Sequence, residues 1–183
     1  MSARGRRGQN PQSLNDSEWW ALGQHYGLDT PLLDWTESPY LGLYFAFAKI
    51  SNNLAEKRAV YALSRFLVEE KSEDIAAAHG AIPDRPDIIE IISPLTDDNA
   101  RLVNQRGLFT RSSPSVDIEK WVKRHFAGRK DLVLLKVTIP EADGDRADCL
   151  RALNLMNVNH LSLFPDLSGA TEFCNMSLKI EGY

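Results

Sequence analysis

His25, Asp34, Thr36, Glu37 and Ser38 fall within one short stretch, QHYGLDTPLLDWTESPYLGLYFAFA over residues 24–48, and the chain turns apolar directly after them. Carboxylates, hydroxyls and an imidazole held together are the groups that bind a polar ligand or move a proton. A helix start leaves backbone N–H groups without partners and carries partial positive charge, so a buried start holds an anion or a polarised ligand. Asp34, Thr36, Glu37 and Ser38 stand at or just before such a start, and His25 ends the preceding helix within reach of it. The same residues have a plainer reading, in which Thr36 and Ser38 cap the helix, Asp34 binds loop amides, Trp35 enters the core and His25 is a hydrogen-bonded structural histidine. Both readings stay open; the convergence of several polar groups on one buried helix end is what sustains the ligand site. No Ser or Cys lies in a nucleophile-elbow pattern, and His25, His125 and His160 lack ligand-pair spacing, so neither a catalytic triad nor a metal site is expected.

The elements that would position this cluster follow from periodicity and caps. Asn15 opens a helix with Glu18 as its capping-box partner; Trp19, Leu22 and Tyr26 recur at helical spacing, and Gly27 stops it. LDTPLLDWTES reads as a turn-rich connection to a second helix over 39–49, with Ser38 as N-cap and Pro39 at its first position. That helix is apolar on most sides, which predicts burial at the centre of the fold. AVYAL (59–63), DIIEIIS (87–93) and LVLLKVTIP (132–140) predict strands, and GLFT (107–110) is too brief to assign firmly but fits one. Helices are expected around 72–79, 97–105, 116–124, 145–156 and 166–176. No Gly-rich phosphate loop follows any strand, which excludes dinucleotide-fold and P-loop readings. The expected architecture is α+β, a single domain with a mixed β-sheet packed around the buried central helix; residues 1–13 are expected to be a flexible tail and 14–183 the domain.

The bulk properties narrow the function classes. The chain has 183 residues, 43% of them hydrophobic and 25% charged, the balance of an ordinary globular domain. A net charge of −4 offers no basic excess for nucleic-acid backbones, although Arg4, Arg6 and Arg7 cluster at the start. Cys149 and Cys174 lack metal spacing and read as reduced thiols. With no apolar run of membrane length and no apolar signal core, the expectation is a cytoplasmic protein without membrane contact.

Three stretches carry a family resemblance. QHYGLDTPLLDWTESPYLGLYFA resembles the signature segment of the FRG domain family, which takes the form QHxGLPTRLLDWTxSPxxALYFA; ARLVNQRGLFT (100–110) and NVNHLSLFPDLSGATEF (157–173) resemble two later segments in the same order. There are departures. Arg6-Arg7-Gly8-Gln9 has Arg6 where the family's N-terminal (Phe/Tyr)-Arg-Gly motif has an aromatic, so that motif is expected to be missing, and Asp29 and Pro31 replace the Pro and Arg of the family's PTR step.

The family's motif order is similar to that of the ADP-ribosyltransferase cradle, and this implies a nucleotide-like ligand, with NAD as a substrate and no certain cofactor. On that resemblance the catalytic set is His25, Asp34, Glu37 and Gln105: Asp34 with Thr36 places the ribose or diphosphate, His25 binds ribose or acts as acid and base, and Gln105 or Glu37 steadies developing charge. Gln24, Trp35, Thr36, Ser38, Arg101 and Gly107 make up the ligand-binding set. The neutral Gln105 orients a nucleophile but cannot steady a cation as a carboxylate does. The rival implication is a non-catalytic interaction module in a bacterial or phage defence-type protein, with a protein partner. Plain readings persist here too, with Arg101 pairing Asp97 or Asp98, Phe109 in the core and LFPDLSG as structural.

Overall fold

A computed structural model describes residues 15–50, 57–81, 84–93, 100–113, 116–140, 142 and 144–183, without the side chains of His25 and residues 100–102. The first helix, α1 (Asp16–His25), begins as its sequence dictates: Asn15 accepts from the Glu18 N–H at 2.9 Å while the Glu18 carboxylate accepts from the Asn15 N–H at 2.7 Å. The helix ends through Gly27, whose φ of +83° suits glycine. Its apolar stripe is displaced from the expected one. Trp19, Leu22 and Tyr26 are exposed, Tyr26 by 79%, and Ala21 with the partly buried Trp20 meets the core instead.

The segment expected to be a turn-rich connection is a strand, β1 (Leu32–Thr36). Its ladder partner lies far along the chain: β4 (Gly107–Arg111) runs antiparallel to it, with Asp34 opposite Phe109 and Thr36 opposite Gly107. A third strand, β3 (Glu90–Ile92), pairs with the other edge of β4, giving the order β1-β4-β3. The stretch 87–93 is thus a strand over only part of its length. Ser72, in α3 (Arg65–His79), takes both backbone groups of Ile89, accepting from its N–H at 3.2 Å and donating to its carbonyl at 3.0 Å. The Ile89 N–H, bound to the Ser72 hydroxyl, is no longer free to donate to a ladder.

A second, two-stranded antiparallel sheet joins β2 (Lys57–Leu63) to β5 (Leu134–Pro140). The α+β class stands, but the expected mixed sheet is replaced, among the described residues, by two antiparallel sheets. Strand pairing is set by contacts between segments distant in sequence, which local patterns do not encode.

The remaining helices are α2 (Pro39–Ala48), α4 (Ala100–Gln105), α5 (Ile118–His125), α6 (Asp145–Leu155), α7 (His160–Leu163) and α8 (Leu167–Lys179). The predicted helix at 72–79 is the C-terminal half of α3, α4 covers the described part of 97–105, and α7 had no sequence signal strong enough to separate it from α8. Leu41, Tyr44 and Phe47 of α2 pack with Leu150, Leu153, Leu163, Met176 and Ile180 in the largest cluster of buried residues. Burial of side chains of this size stabilises by about 1.5–3 kcal/mol each. A second cluster, Val68, Ile89, Trp121, Phe126 and Val133, ties α3 and α5 to the strands. The central helix is therefore buried along one stripe rather than on most sides; Tyr40 and Phe45 remain exposed.

Candidate functional site

The polar residues before α2 occupy a strand, and a strand sends successive side chains to opposite faces. Asp34 shares its face with Leu32 and Phe109, which pack beneath α1, and its carboxylate accepts from Gln24 Nε2 at 2.8 Å. Thr30 donates to the other end of the same Gln24 amide. Trp35 lies on the opposite face, where its indole Nε1 donates to Thr110 Oγ1 at 3.0 Å. Gln24 and Asp34 are thus brought together on the α1 side, and Trp35 is separated from them by the sheet.

Thr36 sits at the strand end, where its hydroxyl donates to the Gln105 carbonyl at 2.8 Å and accepts from the Ser38 N–H at 3.1 Å. The neighbouring Glu37 N–H donates to the Arg106 carbonyl at 3.2 Å. These bonds clamp the β1–α2 corner to the α4–β4 corner, and Arg106 there has a φ of +44° that a residue with a Cβ rarely adopts. The Gln105 side chain turns away, donating through Nε2 to the Leu163 carbonyl at 3.1 Å, with Asn104 donating to Ser162 beside it. Ser38 holds the N-cap position of α2 without a side-chain cap bond. The helix start is also less buried than its sequence suggested, since Pro39 and Tyr40 are exposed. The side chains of His25 and Arg101 lie outside the described residues, so their expected roles do too.

Beside the clamp lies a cleft of about 1220 Å³. Leu33 to Glu37 form one wall, Ser38 with Gly42 and Phe45 of α2 the floor, and Val60 to Leu63 of β2 the facing wall. Leu108 and Thr110 extend the first wall, Gln105 and Gly107 border it, and Asp117, Glu119 and Arg65 stand at the rim. A Cβ on Gly42 would meet Val60 Cγ1 at 3.3 Å, so the glycine lets α2 approach β2 closely beneath the cleft. Asp117 also caps α5, accepting from the Lys120 N–H at 2.7 Å, and the Lys120 side chain and that N–H hold its carboxyl below the ordinary value. Sequence reasoning missed Phe45, Tyr61, Asp117 and Glu119 as cleft residues. Only the capping role of Asp117 has a local signal; Phe45 reaches the cleft through the exposed face of α2, and Tyr61 and Glu119 through the placement of β2 and α5.

Residues 1–54 match the FRG domain. The FRG segment includes β1 and α2, hence one wall and the floor of the cleft, and it contains QHYGLDTPLLDWTESPYLGLYFA, on which the first resemblance rests. The two later resembling segments fall beyond it. No curated protein and no solved structure matches the chain. Among the described residues no group of His, Cys, Asp and Glu is placed to hold a metal ion, and no helix is long and apolar enough to cross a membrane.

Proposed function

We propose that the chain binds a nucleotide-like ligand of the NAD type in the cleft beside its FRG segment, and that ADP-ribosyl or related glycosyl transfer is the chemistry the site serves. One observation carries this reading: the cleft is roomy, walled mainly by apolar and aromatic side chains, and set with a few polar groups at the corner where β1 meets α2. Such concavities are the usual form of small-molecule sites. In the transfer, the bond from ribose to nicotinamide nitrogen breaks and neutral nicotinamide leaves with the bonding pair. The ribosyl carbon then takes the oxygen or nitrogen of an acceptor, whose proton passes to a carboxylate. Glu37 is exposed at the cleft wall, which supports assigning to it that proton and the positive charge that develops. Gln105 is a positioning residue here, since its amide is directed to Leu163. Calorimetry with NAD on the folded chain tests the reading: saturable heat is expected, and its absence at millimolar NAD overturns it.

A second reading, a module that docks on another protein, is favoured by large apolar side chains left in solvent on the C-terminal helices. Leu155, Leu167 and Leu178 are 90%, 84% and 87% exposed. A partner recovered in stoichiometric amount from the host, and lost on Leu155→Glu or Leu167→Glu, would support this reading.

A further inference from the structure

The charges on the cleft walls bear on which part of an NAD-type ligand can enter. Glu37, Asp117 and Glu119 bring carboxylates to the cleft, the Asp34 carboxylate being turned to Gln24 on the α1 side, and Arg65 is the one cation among its described lining residues. The Arg65 guanidinium is already engaged, with Nε at 2.8 Å from the Glu69 carboxylate. Lys120 and Lys123 pair with Asp117 and Glu119 at 2.8 and 3.9 Å, but neither lysine lines the cleft, and exposed pairs of this kind are weak and screened by salt. Glu37 has no ion pair among the described residues.

The start of α2 does not offset this with amides. Pro39 has no N–H, and the Leu41 and Gly42 N–H groups both donate to the Ser38 carbonyl. The anion-holding device of a helix start is therefore largely spent. The walls instead carry Trp35, Phe45 and Tyr61, whose ring faces attract cations. Tyr61 already does so, with Lys136 Nζ 5.2 Å from its ring centroid.

We infer that the cleft selects for a cationic, phosphate-free group: the positively charged ring and ribose of an NAD-type ligand are favoured, and a diphosphate is disfavoured at the wall and the rim alike. This rests on the ligand-site reading above and narrows it to one chemical class, N-ribosylated aromatic cations. Glu37 on the wall and Asp117 and Glu119 at the rim repel a diphosphate, while these carboxylates and the aromatic faces both favour the charged ring.

The test is calorimetry on the full chain at low salt with three probes. Nicotinamide riboside carries the cationic ring and ribose without phosphate, NAD carries both, and ADP-ribose carries the diphosphate without the ring. The riboside is expected to bind at least as tightly as NAD, and NAD about tenfold more tightly than ADP-ribose. Glu37→Gln should weaken the riboside about threefold to fivefold without weakening ADP-ribose. Glu37 is exposed, so the variant is expected to fold, and Glu119→Gln provides the same reading from the rim. ADP-ribose binding as tightly as NAD, or a riboside affinity unmoved by both substitutions, overturns the charge selection and leaves the ligand site standing. Failure of all three probes on folded protein overturns the site and the selection together.

Discussion

The Thr36 hydroxyl closes the corner between β1 and α2, and deleting it is the sharpest test of how that corner is held. Thr36→Val keeps the shape and branching of the side chain and removes one donor and one acceptor. Two backbone groups then lose their partner, the Gln105 carbonyl at 2.8 Å and the Ser38 N–H at 3.1 Å. A hydrogen bond of this kind contributes about 0.5–1.5 kcal/mol net, and a buried group left without a partner costs about 1–3 kcal/mol. Both groups are only partly buried, so water repairs part of the loss and about 2 kcal/mol is expected. For a domain of this size that lowers the melting temperature by about 4–8 °C. Thr36→Ser keeps the hydroxyl and should stay within about 1 kcal/mol of wild type, the deficit reflecting the lost methyl. Thermal unfolding followed by circular dichroism, with urea midpoints as a second measure, reads both variants. A Thr36→Val protein as stable as wild type would refute the clamp. If it also lost affinity for NAD, the hydroxyl would belong to the ligand instead.

Gln105→Glu sets a carboxylate against the Leu163 carbonyl in place of the amide that now donates to it, so destabilisation of about 2 kcal/mol is expected and a urea midpoint equal to wild type would contradict the geometry. Gly169→Ala brings a Cβ to 2.7 Å from the Phe164 Cβ and closer still to its carbonyl, and overpacking there should cost about 3 kcal/mol, checked by thermal melting. Partial burial pushes the Asp87 carboxyl up, but hydrogen bonds from His125 and Arg124 pull it further the other way, so it sits below the ordinary carboxylate value. The stability it contributes is therefore present above the unfolded value of about 3.9 and lost as pH falls through the lower folded one. The gap in urea midpoint between wild type and Asp87→Asn should accordingly narrow between pH 7 and pH 3, and a constant gap would contradict the linkage. Leu153→Ala, at a fully buried position between α6 and α2, should cost about 2–5 kcal/mol by chemical denaturation.

Local chemistry is legible in this sequence wherever it acts over one turn of chain. The Asn15–Glu18 capping box, the stop at Gly27 and the Ser38–Pro39 start of α2 all follow from residues within a few positions of each other. The α+β class and the strands expected at 59–63 and 132–140, found at 57–63 and 134–140, follow from periodicity for the same reason, and the FRG signature lies in one continuous stretch. What the sequence left undetermined depends on partners far along the chain. DTPLLDWT looks like a connection until β4 supplies its ladder, and only then does alternation send Asp34 toward Gln24 and Trp35 toward Thr110. Ser72 shortens the strand at 87–93 from seventeen positions away, by taking the backbone of Ile89. The acidic rim comes from the start of α5 and Tyr61 of the facing wall from β2, which carry no family motif. The chain thus wrote its caps, its periodicities and its signature locally. The faces those residues present, and hence the charge of the cleft, were decided by strand pairing, because a strand's side chains acquire an inside and an outside only when another strand and a helix are laid against it.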